Sequence, residues 1–283
     1  MKLKYQNQRI LITGASAGLG REMARELAAR GAKSLLLVAR RQDELMALSE
    51  ELVAKYPQLV VHACPCDLSD TAAIDRLLHT VSRQVGAVDI LINNAGVGNY
   101  GLFEDADWPR LERIIRLNVV GLTYLTHKLV NPMIALGHGG ILNISSVVGL
   151  MPIPGRAVYS ASKHYVTAFS EALRSELRGT GVIVSQACPG PVPTEFATVS
   201  GSVADMQRKP SFLTIDAAQC AAECLDGLAQ GKALLVPGRN MRLAAHALAW
   251  VPRPLRRLAF ANVRQRILVA QEPGARPQTA AVR

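Results

Sequence analysis

Aromatic side chains are scarce in this 283-residue chain, at 5% of positions. The 49% of hydrophobic residues therefore has to pack mainly as Leu, Ile, Val and Ala in a globular core. Met1 to Gln8 is polar and basic, with no apolar leader before the first strand-like segment, so the expectation is a cytoplasmic protein. No apolar run reaches the ~20 residues a membrane-spanning helix needs; Leu243–Val251 stops at Arg242 on one side and at Pro252, Arg253 and Pro254 on the other. The five cysteines (Cys64, Cys66, Cys188, Cys220, Cys224) lack the paired Cys/His spacing of a zinc site. They read as small buried hydrophobes, and no metal is expected. No repeat of solenoid period is present.

Acidic residues are nearly missing from one end only. From Lys232 onward ten Lys/Arg face a single acid, Glu272, whereas the first 231 residues hold 22 bases and 21 acids. The net charge of +10 thus belongs to the tail. Without a reader motif beside those bases, nucleic acid is not an expected partner.

Short β-rich runs alternate with helix-period segments. The strands expected are Arg9–Thr13, Ser34–Ala39, Leu59–Cys64, Val88–Asn93, Gly140–Ser145, Val182–Ala187 and Ala233–Val236. Between them, apolar residues recur at three and four over Leu19–Arg30, Gln42–Lys55, Thr71–Val85, Trp108–Leu136, Ala157–Arg178 and Asp216–Gln230. Continuous apolar strands joined by helices imply a doubly wound α/β fold, its seven-stranded, mostly parallel sheet covered by helices on both faces. Ligands of such sheets bind beyond the strands' carboxyl ends. The reading divides the chain into a dinucleotide-binding and catalytic domain, residues 1–238, and a basic amphipathic extension, residues 239–283, with a mobile end.

The first strand runs into Thr13-Gly14-Ala15-Ser16-Ala17-Gly18-Leu19-Gly20, which opens a helix. Glycines there let the backbone approach a pyrophosphate seated at the amide-rich helix terminus. Where the second strand ends, NAD enzymes place a carboxylate for the ribose 2′-hydroxyl. This chain has Arg40 and Arg41 instead, so NADP(H) is expected over NAD(H). Arg40 is assigned to the 2′-phosphate, and Arg41 stays open between phosphate and solvent.

Tyr159-Ser160-Ala161-Ser162-Lys163 sets a phenol and an ammonium four residues apart, on one helix face. The neighbouring ammonium and a positively charged nicotinamide ring would both favour the phenolate, so the tyrosine's pKa is expected to fall toward working pH. Ser145-Ser146 ends the fifth strand, Asn93-Asn94-Ala95-Gly96 the fourth, and Pro189-Gly190-Pro191-Val192-Pro193-Thr194 follows the sixth; Asn118 lies in the long helix between. All fall at strand carboxyl ends or on an adjoining helix.

With these motifs the chain resembles the short-chain dehydrogenase/reductase superfamily in its single-domain form, over about Ile10 to Val236. The resemblance implies a Rossmann-like fold and hydride transfer between nicotinamide and a carbonyl or secondary alcohol. It makes Tyr159 the catalytic acid/base, Lys163 the holder of the nicotinamide ribose, Ser146 the group that polarises the substrate oxygen, and Asn118 the anchor of a proton-relay water. It implies that Asp67 meets the adenine amino group, that Asn93 supports the sheet and the cofactor near the adenosine ribose, and that Val192 and Thr194 hold the carboxamide. Gly14, Ser16, Gly18, Leu19, Gly20, Ala95, Gly96 and Pro189 complete the dinucleotide site, with Tyr159 and Lys163 shared. A homodimer or homotetramer is implied as well, paired through the Trp108–Leu136 and Ala157–Arg178 helices.

Val97, Tyr100, Leu102 and Phe103, then Val148, Leu150, Met151, Pro152 and Ile153, then Phe196, Met206, Phe212 and Leu213 populate the loops beyond the strands. They point to a hydrophobic ketone, aldehyde or alcohol. The tail's apolar pieces, interspersed with Arg242, Arg253, Arg256, Arg257, Arg264 and Arg266, suit an anionic membrane surface or an acidic acyl carrier. A basic lid or dimer contact fits them equally. The rival functions are a dinucleotide-binding sensor that has lost catalysis and a dehydratase or epimerase on the same scaffold.

Overall fold

A computed structural model describes residues 3–201, 210–249, 251–252, 254–255, 258 and 260–271. Met206, Arg253, Arg256, Arg257 and residues 272–283, with the mobile end expected there, lie outside the described residues.

Seven strands form one parallel sheet: β1 (Arg9–Thr13), β2 (Ser34–Ala39), β3 (Val60–Pro65), β4 (Ile90–Asn93), β5 (Gly139–Ile144), β6 (Val182–Ala187) and β7 (Leu234–Leu235). Their order is β3-β2-β1-β4-β5-β6-β7, and every pairing is parallel. The order reverses between β1 and β4, where doubly wound sheets open a crevice for ligand.

Because strand side chains alternate, β1 and β2 feed two cores at once. Ile10, Ile12, Leu35 and Leu37 turn to one face, against α1 (Gly18–Ala29), α2 (Gln42–Lys55) and the helix Ala217–Ala229. Leu11, Leu36 and Val38 turn to the other, against α3 (Thr71–Gln84) and α5 (Leu122–Leu136). Each fully buried Leu or Ile contributes roughly 1.5–3 kcal/mol, whereas exposed ion pairs such as Arg25–Glu51 contribute about 0–1 kcal/mol. Apolar burial on the two sheet faces therefore dominates.

The long expected helix Trp108–Leu136 is continuous but not uniform: α4 (Trp108–Ile115), a π-helical turn (Arg116–Gly121), then α5. Asp107 caps it, its side chain accepting from the Arg110 amide. After α6 (Ala157–Glu176) and the short α7 (Glu195–Val199), α8 (Ala217–Ala229) starts at Asp216, whose side chain accepts from the Gln219 amide. The extension forms α9 (Arg239–Ala249) and α10 (Val263–Gln271). It lies on the main body: Ile267 is 1% exposed and its Cδ1 abuts Gly155, while Arg264 pairs with Glu104 at 2.5 Å.

Candidate active site

A cavity of about 430 Å³ runs along the carboxyl ends of the central strands. Its floor is the turn from β1 into α1. Gly14 adopts φ +67° there, and a Cβ on it would stand 2.9 Å from the Ala95 Cα. Thr13 and Asn94 fix this turn. The Thr13 hydroxyl accepts from the Asn94 and Ala95 amides, each at 2.9 Å, and Asn94 Nδ2 donates to the Thr13 carbonyl at 2.9 Å. Ala17, the N-cap of α1, makes no side-chain cap, so the first-turn amides are left to face the cavity that Ala17, Gly18 and Leu19 line. A bare helix N-terminus behind a close-packed glycine turn fits a pyrophosphate.

At one end of the cavity stand Arg40, Arg41 and Asp67. Arg41 reaches the Ser16 hydroxyl at 3.4 Å and pairs with Glu195 at 2.9 Å. Asp67 Oδ1 accepts from the amide and hydroxyl of Ser69, and Oδ2 lies 3.3 Å from Arg113. Burial opposes ionisation of this carboxyl, but the Ser69 bonds and the charges of Arg113 and Arg40 hold it below the usual range.

At the other end the cavity is lined by Ser146, Tyr159 and Lys163. Lys163 Nζ donates to the Ile144 carbonyl at 2.7 Å and lies 5.9 Å from the Tyr159 ring centroid. Burial pushes the Tyr159 phenol up to about 12, against the opposing pull of the Ser146 hydroxyl and the Arg156 guanidinium. Burial also pushes Lys163 down to about 8. The pKa drop expected for Tyr159 from Lys163 is therefore not produced by the protein's own groups, because desolvation of the phenol outweighs the charges beside it. Of the two serines, Ser145 donates to the Lys163 carbonyl at 2.9 Å. Ser146 is the one whose hydroxyl bears on the phenol's pKa, and its oxygen accepts from the Val148 amide at 3.4 Å.

Asn118 sits in the π turn, buried and stitched to two neighbours. Its side chain makes both bonds to the Val97 backbone (N–H donating at 3.0 Å, carbonyl accepting at 2.9 Å) and donates to Ser162 Oγ at 3.0 Å. It lies behind Gly96, where an added Cβ would meet Asn118 Oδ1 and Lys163 Nζ. Gly20 also lies beneath the lining, packed on the Gly14 carbonyl. Asn93 faces away from the cavity, in a buried ladder to Thr126 and Asn143; its neighbour Asn94 takes the cavity side. Ala95, Gly96, Pro189, Val192 and Thr194 line the cavity with the glycine turn, and Thr194 also caps α7. His164 bonds back to the Ser160 carbonyl, within its own helix. Thr13 and Asn94 have no assigned role in the motifs that contain them, and their signal was position at a strand end; Arg156 belongs to no motif.

Of the expected substrate residues, Val97, Val148, Ile153 and Phe196 line the cavity, and Phe196 packs 5.6 Å from the Tyr159 ring. Phe103 and Phe212 are exposed. The cysteines are free thiols, four of them buried. No group of metal-ligating side chains occurs among the described residues, and none of their helices is long and apolar enough to cross a membrane.

The family model of the short chain dehydrogenases matches residues 8–203. A sulfoacetaldehyde reductase of Chromohalobacter salexigens is 39% identical over 195 residues, 67% of this chain and 74% of that protein. Dehydrogenase/reductase SDR family member 7B of Danio rerio is 34% identical over 80% of this chain and 76% of its own. Among solved structures, a short-chain dehydrogenase from Sphingobium yanoikuyae in complex with NADPH is similar with a TM-score of 0.77 at 28% identity, over 97% of this chain and 100% of that one. The chain belongs to the short-chain dehydrogenase/reductase family, oxidoreductases that act on CH–OH groups with a nicotinamide dinucleotide.

Proposed function

We propose that the protein is an NADP(H)-dependent reductase or dehydrogenase of hydrophobic ketones, aldehydes or secondary alcohols, with Tyr159 as its acid/base. The observation that carries this reading is that Ser146, Tyr159 and Lys163 share one cavity with the glycine turn and the uncapped start of α1. Gly14, Ser16, Gly18 and Leu19 would hold the pyrophosphate, with Gly20 packed behind them. Arg40 and Arg41 would hold the 2′-phosphate by their planar, permanently charged forks. Asp67 would meet the adenine, and Ala95, Gly96, Pro189, Val192 and Thr194 the remainder. Asn93 acts at one remove, by supporting the end of β4.

The bound dinucleotide supplies or takes up the hydride. In the reducing direction the Tyr159 hydroxyl donates its proton to the carbonyl oxygen, and the Ser146 hydroxyl hydrogen-bonds the same oxygen as negative charge develops there. Held as a neutral phenol, Tyr159 arrives with the proton in place. Lys163 keeps a positive charge beside the phenol and an N–H for a ribose hydroxyl. Asn118 fixes the Val97 backbone against α6, so that the floor of the substrate end does not drift.

Val97, Val148, Ile153 and Phe196 around the phenol favour an apolar substrate body, and a solved structure of 25% identity is that of the bulky-bulky ketone specific alcohol dehydrogenase from Comamonas testosteroni. Apolar side chains stand exposed on the two helices expected to pair between subunits, among them Trp108, Ile115, Leu136 and Tyr165, which supports a homodimer or homotetramer. The basic extension remains a candidate surface for anionic lipid or an acyl carrier in the cytoplasm. NADPH consumption followed by absorbance over a panel of ketones and aldehydes tests the activity. Turnover of hydrophobic ketones is expected, and a panel in which only small, highly charged compounds react would refute the substrate class.

A further inference from the structure

We propose that Glu195 is a specificity-determining residue for the dinucleotide: its carboxylate competes with a 2′-phosphate for Arg41 and so tempers the preference for NADPH over NADH. The proposal rests on the 2′-phosphate reading above and deepens it. Arg41 Nη1 lies 2.9 Å from Glu195 Oε2. The contacts of Arg41 with Ser16 are longer: Nε and Nη2 reach the hydroxyl, and Nη2 the carbonyl, each at 3.4 Å. The carboxylate is therefore what aims the guanidinium. The two residues come from opposite lips of the cavity, which both of them line. Arg41 is the N-cap of α2, after β2, and Glu195 opens α7, after β6, on the far side of the crevice between β1 and β4. The start of α7 rests on the glycine turn, since a Cβ on Gly18 would meet the Thr194 side chain at 3.1 Å.

Arginine holds a phosphate best by offering both arms of its planar fork. In Arg41 one terminal nitrogen is engaged by Glu195 and the other faces Ser16. A 2′-phosphate has to displace the carboxylate or accept a partly occupied fork. In both cases two negative charges approach one cation, and they repel each other. NADH brings no charge to that position and meets neither cost. Asp67, the other carboxylate lining the cavity, turns to Arg113 at 3.3 Å. A carboxylate in the first turn of α7 also suits the helix dipole, which accounts for its sign but not for its aim at Arg41. Both side chains are about half exposed, 45% for Arg41 and 58% for Glu195, so solvent and salt limit the effect to about one order of magnitude.

The test is titration calorimetry of NADPH and of NADH against wild type, Glu195→Gln, Arg41→Ser and the double variant, reading in each the ratio of the two Kd values. Glu195→Gln is expected to raise the preference for NADPH about 3- to 10-fold at low ionic strength, with the gain shrinking as salt is added. In the Arg41→Ser background the same change should leave the ratio where it is, because the carboxylate acts through the arginine. Reading a ratio within each protein cancels any shared loss from a shift of α7. A Glu195→Gln variant with an unchanged or lower preference overturns the proposal, as does an equal gain in the Arg41→Ser background; the 2′-phosphate reading stands in either case where Arg41→Ser alone lowers the preference. If Arg41→Ser leaves the wild-type ratio intact, the role of Arg41 at the 2′-phosphate falls and the proposal falls with it.

Discussion

Lys163 donates its ammonium proton to the Ile144 carbonyl at 2.7 Å, at the end of the strand that two residues later presents Ser146. One strand end therefore seats the cation and the hydroxyl that flank Tyr159. The ammonium is buried there, and burial weakens its hold on the proton, lowering its pKa to about 8 from 10.5.

That shift has a stability signature with a definite sign. Below about pH 8 both folded and unfolded chains carry the lysine proton, and the cost of burying the charge is present in full. Between about 8 and 10.5 the folded chain has lost the proton and the unfolded chain keeps it, so stability from this group rises with pH. Lys163→Met removes the group. Denaturant unfolding of both proteins should show the wild type gaining on the variant by up to ~1.4 kcal/mol per pH unit in that window. A difference independent of pH would contradict the buried ammonium.

Gly20 tests the phosphate floor. A Cβ there would stand 2.3 Å from the Gly14 carbonyl oxygen and 2.5 Å from Asn94 Nδ2. Backbone cannot yield to that, so Gly20→Ala should displace the turn and cost about 1–3 kcal/mol of stability. Dinucleotide affinity, measured by titration calorimetry, should fall with it. Unaltered affinity would mean the turn is not where the pyrophosphate rests.

Arg40 and Arg41 both border the cavity, but Arg41 alone reaches the glycine turn, at Ser16. Replacing both by Ser should lower kcat/KM for NADPH on the order of 10- to 100-fold and leave NADH nearly unaffected. An equal loss with both dinucleotides would remove the 2′-phosphate assignment.

The sheet was legible because its strands are short, apolar and punctuated; β1, β2 and β6 have the bounds expected from sequence. The site was legible for the same reason, since residues at strand ends must meet in a parallel sheet. Local helical register was not. A period of 3.6 over Trp108–Leu136 hides one turn of π-helix, and with it the way Asn118 binds Val97. Nor could spacing tell Asn93 from Asn94: the first is still in β4 and turns inward, the second has left the strand and turns to the loop. Burial, which no motif encodes, outweighs the protein's own charges beside the Tyr159 phenol. In the extension, the proline and arginine bounds concealed α9, which meets Gly190 and Glu223 through Met241 and Arg242, and α10, which meets Gly155 and Glu104.

The central claim is that the Tyr159 hydroxyl transfers the proton, and Tyr159→Phe tests it most directly because only one oxygen is lost. With a reactive ketone and NADPH, kcat should fall on the order of 10²- to 10⁴-fold, while the dinucleotide's Kd stays close to that of the wild type. A phenylalanine variant that binds NADPH and turns over at near wild-type kcat would contradict the account.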